Sequence, residues 1–544
     1  MQTIGRAEEW KNAHRQTILS ESFVEVSLDI ADPDALADAN PSDNGAIYIS
    51  NSKNLTNGVD KKPTPYCTLE QNLWCLDGKR KALPESGFGE NGYVSDVLSD
   101  ETCVFNPKVP VITLDFEAVH DNAIAGITIT WSDTYDEYAD TFEVIVYNGD
   151  NVVLSREVSG NKSAKTAILA EIKGYNRIVI IIKKWCLPNH RARVEEIFVG
   201  VRKIYGKTDL FEYSHTQSVS PISTALPKVE IKFSIDNLNG EYNPYNPDGL
   251  SRYLMERQEV KARYGLKMDD GAIEWIDGGT FYLSEWYAKQ NGLTADFTAR
   301  DSLEFMSAIY YDSDFITKFD EIQENGRTLY SLAETILSAA ELPLPNDGSP
   351  RWVIDDSLEE VITKAPLPED TLANCLQLIA NAGRCVIYPD RNGTLCVKKL
   401  AGEVTDYTID SFNSYSKPEI TLSKPIKQVI VKQYTYTKGD NGIESTTEDV
   451  ITKVSASGET ITVDNPLITE CTDPAKIGQW MVENDLKSRM TIDSSWRADV
   501  RLDALDIVTN ENAYNANQVR MTDIEFKYNG AFSGTGKGKV IGNG

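Results

Sequence analysis

Short β-patterned segments recur along most of this 544-residue chain, and they limit what it can fold into. Ser22–Ile30 (SFVEVSLDI) alternates apolar and polar side chains, as a strand does with one face in a core and the other in water. Between residues 107 and 204 seven such segments follow one another: Val111–Phe116, Ala125–Trp131, Thr141–Tyr147, Val152–Glu157, Thr166–Ile172, Arg177–Lys183 and Arg193–Tyr205. Turn formers such as Asn148-Gly149-Asp150 and Ser159-Gly160-Asn161 separate them. A strand roughly every ten residues over about 100 residues is the pattern of a β-sandwich. The pattern resumes in Val229–Ile235, Val260–Tyr264, Gly279–Trp286 and Leu293–Ala299, around the long turn former Asp236–Gly249 (DNLNGEYNPYNPDG).

Helical spacing is local. Leu329–Ala340 puts Leu329, Leu332, Ala333, Ile336 and Leu337 on one face, and Thr371–Ala382 does the same with Leu372, Cys375, Leu376 and Ile379. Asp370 is placed to cap the second helix and Gly383 to end it. Cys385–Tyr388, the turn Asp390-Arg391-Asn392-Gly393 and Thr394–Lys399 then predict a β-hairpin. From residue 401 strands dominate again, with one helix over Pro474–Met490. The stretch after Tyr528 (NGAFSGTGKGKVIGNG) is glycine-rich and is expected to be pinned only by contacts with neighbours. Pro33–Asp60 and Lys79–Asn106 read as irregular, with aromatic anchors between them in Tyr66–Gly78.

The chemistry-bearing patterns are few. GxxxxGKS/T, GxGxxG between a strand and a helix, GxSxG and HExxH are absent. Four histidines give a metal site or a Ser–His–Asp triad little to build on, and none of the eight cysteines forms a CxxC pair. The net charge of −28 argues against a protein that grips phosphates. The expectation is therefore a protein without catalysis, metal or cofactor. Asp236, Asn237, Asn239 and Glu241 carry oxygen ligands at calcium-like spacing, but a self-capping polar turn explains them more simply. In the sandwich, Trp131, Tyr135, Tyr138 and Trp185, with Asp133, Asp136 and Arg191 as polar partners, are candidates for stacking on a sugar ring, the alternative being that they plug the core.

Three segments resemble a known family. Leu226–Leu254 (LPKVEIKFSIDNLNGEYNPYNPDGLSRYL) is similar to a strand and "D-N-x-x-G-x-F/Y-N-P" turn found in Firmicutes phage tail proteins. Pro366–Leu400 resembles the helix–hairpin unit of those proteins, with "L-I-A-x-A-G-R-C" followed by "D-R-x-G-x-L". Asp503–Gly538 resembles their closing strands. The resemblance, to the baseplate-hub or tail-associated proteins of phage tails, covers residues 205 to the end. It implies two tail-tube-like β-barrels per subunit and a homotrimer that adapts a sixfold tail tube to a threefold tip. Its partners would be distal tail, tail-tube and tip or fibre proteins, and DNA would pass through the lumen without specific binding.

The expected fold is thus mainly β (α+β), with two barrels, a helix-containing connection and an inserted jelly-roll-like β-sandwich. The expected divisions are a helix and strand in 1–30 that join the first barrel, an irregular connection in 31–104 and the sandwich in 105–204. The first barrel follows in 205–300, an α/β connection in 301–400, and the second barrel with its tail in 401–544. Met1–Glu21 carries scattered charge and no apolar core, and the most apolar run, Arg177–Ile182, is far short of the roughly 20 residues of a membrane helix. Synthesis in a host cytoplasm and final residence at a virion tail tip are the expectation. A second reading makes the chain a tail-tip adhesin that binds host cell-surface glycan through the sandwich.

Overall fold

In the computed structural model, Ser22–Ala31 pairs antiparallel with Glu259–Lys267 on one side and Gly200–Tyr205 on the other. Its alternating Val24, Val26, Leu28 and Ile30 are all buried, which is what the sequence alternation requires. The structure describes residues 2, 6–16, 20–56, 65–76, 78, 80–82, 92–289, 292–312, 315–340, 342, 350–439, 442–511, 514 and 516–541. The fold is mainly β.

One sheet of thirteen strands runs through the molecule. Its order is Gly200–Tyr205, Ser22–Ala31, Glu259–Lys267, Ile273–Ala288, Thr294–Arg300, Lys228–Asp236, Leu210–Ser218, Ala516–Tyr528, Phe532–Val540, Met490–Trp496 and Glu419–Leu422. Ile507–Glu511 branches from Ala516–Tyr528 and carries Val404–Ile409. The N-terminal and C-terminal halves of the chain therefore meet through a backbone ladder, Tyr213 opposite Tyr528 through Ser218 opposite Asp523. A single hydrophobic cluster spans both, from Val24 and Phe297 to Trp496 and Phe526. Helix Ala7–His14 reinforces the union: Trp10 Nε1 donates to Asp499 at 3.3 Å and His14 Nε2 lies 2.8 Å from the Ala498 carbonyl oxygen.

The sandwich is built on two faces. Asn40–Asp43, Val111–His120, Tyr175–Trp185, Ala139–Asn148 and Asn151–Ser159 form one sheet, and Glu196–Phe198, Ile124–Thr130 and Lys165–Ile172 another. Tyr93–Leu98 pairs with Arg191–Val194. Two boundaries differ from the sequence reading. The stretch expected to be irregular, 31–104, contributes Asn40–Asp43 and Tyr93–Leu98 to the sandwich. Asn40-Pro41-Ser42-Asp43 has no alternation to read, and Pro41 fits because this strand lies at an edge. The last sandwich segment is three strands, not one, and Gly200–Tyr205 leaves for the large sheet. The crossing point is Gly200, where a Cβ would stand 2.5 Å from the Ile30 carbonyl oxygen.

Residues 303–398 form a second core with the amphipathic helices Leu329–Ala339 and Leu372–Ala382. Thr328 and Thr371 cap their first turns through Ser331 N and Asn374 N, so the cap of the second helix is Thr371 and not Asp370. Leu372, Cys375, Leu376 and Ile379 are buried, and a fully buried aliphatic side chain contributes about 1.5–3 kcal/mol. Part of the 401–544 segment joins this core and not the large sheet. Ile426–Gly439, Gly442–Lys453 and Glu459–Val463 make a separate three-stranded sheet, and Val429, Val431 and Ile477 pack against the helices. The helix expected over 474–490 runs as Pro474–Met481 followed by a π turn, Val482–Leu486.

The glycine-rich tail also differs from expectation, since Phe532–Val540 is an inner strand of the large sheet. Phe532, Gly534, Gly536, Gly538 and Val540 alternate on its buried face. The glycines make room for bulk from neighbouring strands: a Cβ at Gly536 would lie 2.7 Å from Trp496 Cη2 and 2.6 Å from Met521 Cε. The period of two is present in the sequence, written in glycines instead of large residues.

Candidate functional site

The place where the two halves meet is polar and buried. The hairpin turn after helix Leu372–Ala382 carries Arg391 into it. Arg391 Nε donates to Asp503 Oδ1 at 2.8 Å, Nη1 to the Asp277 carbonyl at 2.8 Å, and Nη2 to the carbonyls of Val500 and Leu502 at 2.7 and 3.0 Å. One side chain thus holds the helical region, the 273–288 strand of the first half and the 500–503 loop of the second. Burial works against the Asp503 charge, but the guanidinium beside it outweighs burial and holds the carboxyl below its usual range.

A chain of hydrogen bonds continues inward. Gln217 Oε1 accepts from Ala504 N at 2.7 Å, and Gln217 Nε2 lies 3.3 Å from His215 Nε2. His215 Nδ1 lies 2.8 Å from the Tyr264 hydroxyl, which is 2.7 Å from the Tyr213 hydroxyl. Burial, with the Arg391 charge adding to it, pushes His215 down to about 3, so the imidazole is neutral. His215, Gln217, Arg391, Asp503 and Ala504 border a cavity of about 230 Å³ that also reaches Asp301 and Asp506. Burial pushes Asp301 up to about 7, against the two backbone N–H groups of Val229 and Leu303 that favour its charge. The cavity carries the carboxylates of Asp301, Asp503 and Asp506, and both ring nitrogens of His215 are engaged by neighbours.

The predicted sugar-stacking residues come together at one end of the sandwich, but not as an open platform. Trp131 and Trp185 have no exposed surface. Their rings meet edge to face at 6.3 Å, and Trp131 also meets Phe142 at 4.7 Å. Trp131 Nε1 donates to Thr166 and Trp185 Nε1 to Glu137. Tyr135 is enclosed between the guanidinium groups of Arg80 and Arg193, at 5.6 and 5.0 Å from its ring centre. Tyr138 is half-buried against the sandwich core, and Arg191 Nη1 donates to the Ser95 carbonyl at 2.8 Å. The two tryptophan faces are core contacts: a tryptophan at the end of an apolar strand closes the sandwich by turning inward.

Sequence reading missed the ion cluster behind those rings. Arg193 pairs with Glu70 at 2.5 Å and with Glu137 at 3.4 Å, and His190 Nδ1 lies 2.9 Å from Glu137. Burial favours neutral His190, but Glu137 overrides it and the pKa is raised. The cluster pins residues 65–76, where Tyr66, Cys67 and Leu73 are buried while Leu69, Trp74 and Leu76 point outward. Its members are separated by up to 123 residues, so no local pattern announces them. The Asp236–Gly249 turn is self-capped: Asp236, Asn237, Asn243 and Asn246 accept from Leu238, Tyr242, Tyr245 and Asp248 backbone N–H groups. Among the described residues no group of three or more His, Cys, Asp and Glu side chains is placed to hold a metal.

No protein-family model matches the chain. No curated protein matches it either. Solved structures do show partial likeness. The 43 kDa tail protein of prophage MuSo2 from Shewanella oneidensis is 12% identical with a TM-score of 0.40, over 62% of this chain and 94% of that one. The tail protein from Neisseria meningitidis MC58 has the same identity and TM-score, over 62% and 93%. Prophage tail protein gp18 from Listeria monocytogenes EGD-e is 12% identical with a TM-score of 0.38, over 62% and 91%. At these scores the likeness decides neither assembly nor activity.

Proposed function

We propose that this chain is a structural subunit of a phage tail tip, a trimeric baseplate hub that adapts a sixfold tube to a threefold tip. One observation carries the reading. Two β units of a single chain are joined edge to edge through the 213–218 and 523–528 ladder, and Arg391 fixes their relative position from a third region. Three such chains would present six β units in a ring, each pair held rigidly. Catalysis has no part in this role. The net charge of −28 suits a wall that DNA slides past and does not bind. Closed ring symmetry needs a repeated interface, and the Glu419–Leu422 edge strand, with Ile420 and Leu422 exposed, is a surface from which one could be built. The sandwich would sit outside the ring.

Mass photometry of the full chain, alone and mixed with its tail-tube partner, tests the proposal. A trimer is expected in at least one condition. A monomer at every concentration and in both conditions would sink it.

A further inference from the structure

Arg520 occupies an electrostatic position unlike that of Arg391. The residue is 93% buried, yet among the described residues no carboxylate lies within ion-pair distance of it. Nη1 donates to the carbonyls of Ala401 and Leu505 at 2.7 and 3.3 Å, and Nε and Nη2 have no hydrogen-bond partner among the described residues. Asp506 acts on it only through space, and burial depresses its pKa. A guanidinium stays charged in a protein, so the remaining donors, which keep some solvent access, call for water or an acceptor.

Its surroundings sharpen the need. Lys539 stands directly opposite Arg520 on the antiparallel ladder, so two like charges share one face of the sheet. Asp485 reaches Lys539 Nζ at 2.7 Å and neutralises that cation alone. Lys487 projects from the end of the π turn without an ion pair among the described residues, and its backbone N–H closes that turn on the Val482 carbonyl at 2.9 Å. The nearby carboxylate of Glu483 is engaged by Gln479 at 2.8 Å. Arg520, Lys539, Lys487, Ser488 and Thr522 line a pocket of about 200 Å³ between the π turn and the large sheet, together with the carboxylates of Glu483 and Asp485, the second of them spent on Lys539. π turns widen a helix locally and gather at functional sites. In a chain of net charge −28, an unpaired buried arginine facing such a pocket is a specific feature.

We propose that this pocket is an oxyanion-binding site, with Arg520 Nε and Nη2 as the primary donors and Lys487 as the outer cation. A planar fork of donors suits a carboxylate or a phosphate, and charge-assisted bonds of this kind are the stronger hydrogen bonds of proteins. The ligand is a free phosphate-type anion or the carboxylate of an acidic side chain supplied by a partner. The site does not depend on the hub reading and would exist in a monomer.

Titration calorimetry on the full chain, with inorganic phosphate and with acetate against sodium chloride at equal ionic strength, tests it. Saturable binding of at least one probe is expected. R520Q is expected to weaken that binding at least about tenfold, and K487Q several-fold. Tighter phosphate binding identifies a phosphoryl ligand, and tighter acetate binding a side-chain carboxylate. Absence of saturable binding for both probes overturns the proposal, as does R520Q binding like the native chain. If R520Q does not fold, the Arg520 Nε NMR resonance of the native chain replaces it. That resonance must move with probe concentration, and its failure to move overturns the site.

Discussion

Arg391 Nε lies 2.8 Å from Asp503 Oδ1, and the two residues belong to regions 112 positions apart in the chain. The contact joins the turn of a local hairpin to the loop that precedes the last strands. Because Arg391 also donates to carbonyls on both sides of the junction, it is a shared fixing point and not an isolated ion pair.

Replacing Arg391 by Ala should therefore destabilise the chain by about 3 kcal/mol, since it takes the cation from Asp503, which keeps the Gln2 and Gln217 amide donors, and the donor from three carbonyls at once. Urea unfolding measures the loss. If the chain assembles as proposed, mass photometry of the same variant should show less trimer. Native-like stability and assembly in R391A would contradict the role given to this residue.

The tryptophans of the sandwich are core residues, which separates them from an exposed one. Trp131→Ala should cost about 3–5 kcal/mol, as a cavity replaces a ring packed on Phe142 and Trp185. Trp74→Ala, at 50% exposure, should change stability by no more than about 0.5 kcal/mol. Thermal unfolding of the two variants side by side checks the contrast, and equal effects would refute it.

Gly536→Val should destabilise by about 1–3 kcal/mol, because its Cβ would press on Trp496 and Met521. Thr535→Val, one residue away on the exposed face, should be nearly neutral. If both tolerate valine, the glycine face is not packed as described.

His190 beside Glu137 gives a pH dependence whose sign is fixed. Its folded pKa is raised above the unfolded value of about 6.5. Its stabilisation is then complete below about pH 6.5 and is lost as pH rises through the folded pKa. Denaturant midpoints of the native chain and H190Q, compared between pH 5.5 and 8.5, should converge toward the alkaline end. A difference that grows with pH would have the wrong sign.

The sequence by itself determined the kind of elements and much of their order. Period-two alternation in Ser22–Ala31 and across 111–185, three–four spacing in 329–339 and 372–382, and Asn392-Gly393 after the second helix are local signals, and the structure contains each element. Tertiary structure alone decided what faces what. Trp131 and Trp185 turned inward, since a strand end cannot reveal which side the opposing sheet covers. Residues 426–486 joined the helical core, since a hydrophobic face does not name its partner. Pairing of Leu210–Ser218 with Ala516–Tyr528, the Arg391 lock and the Glu70–Arg193–Glu137 cluster all join residues far apart in the chain. Hydrogen bonds and ion pairs of that range depend on where the backbone returns, and only the folded chain sets that.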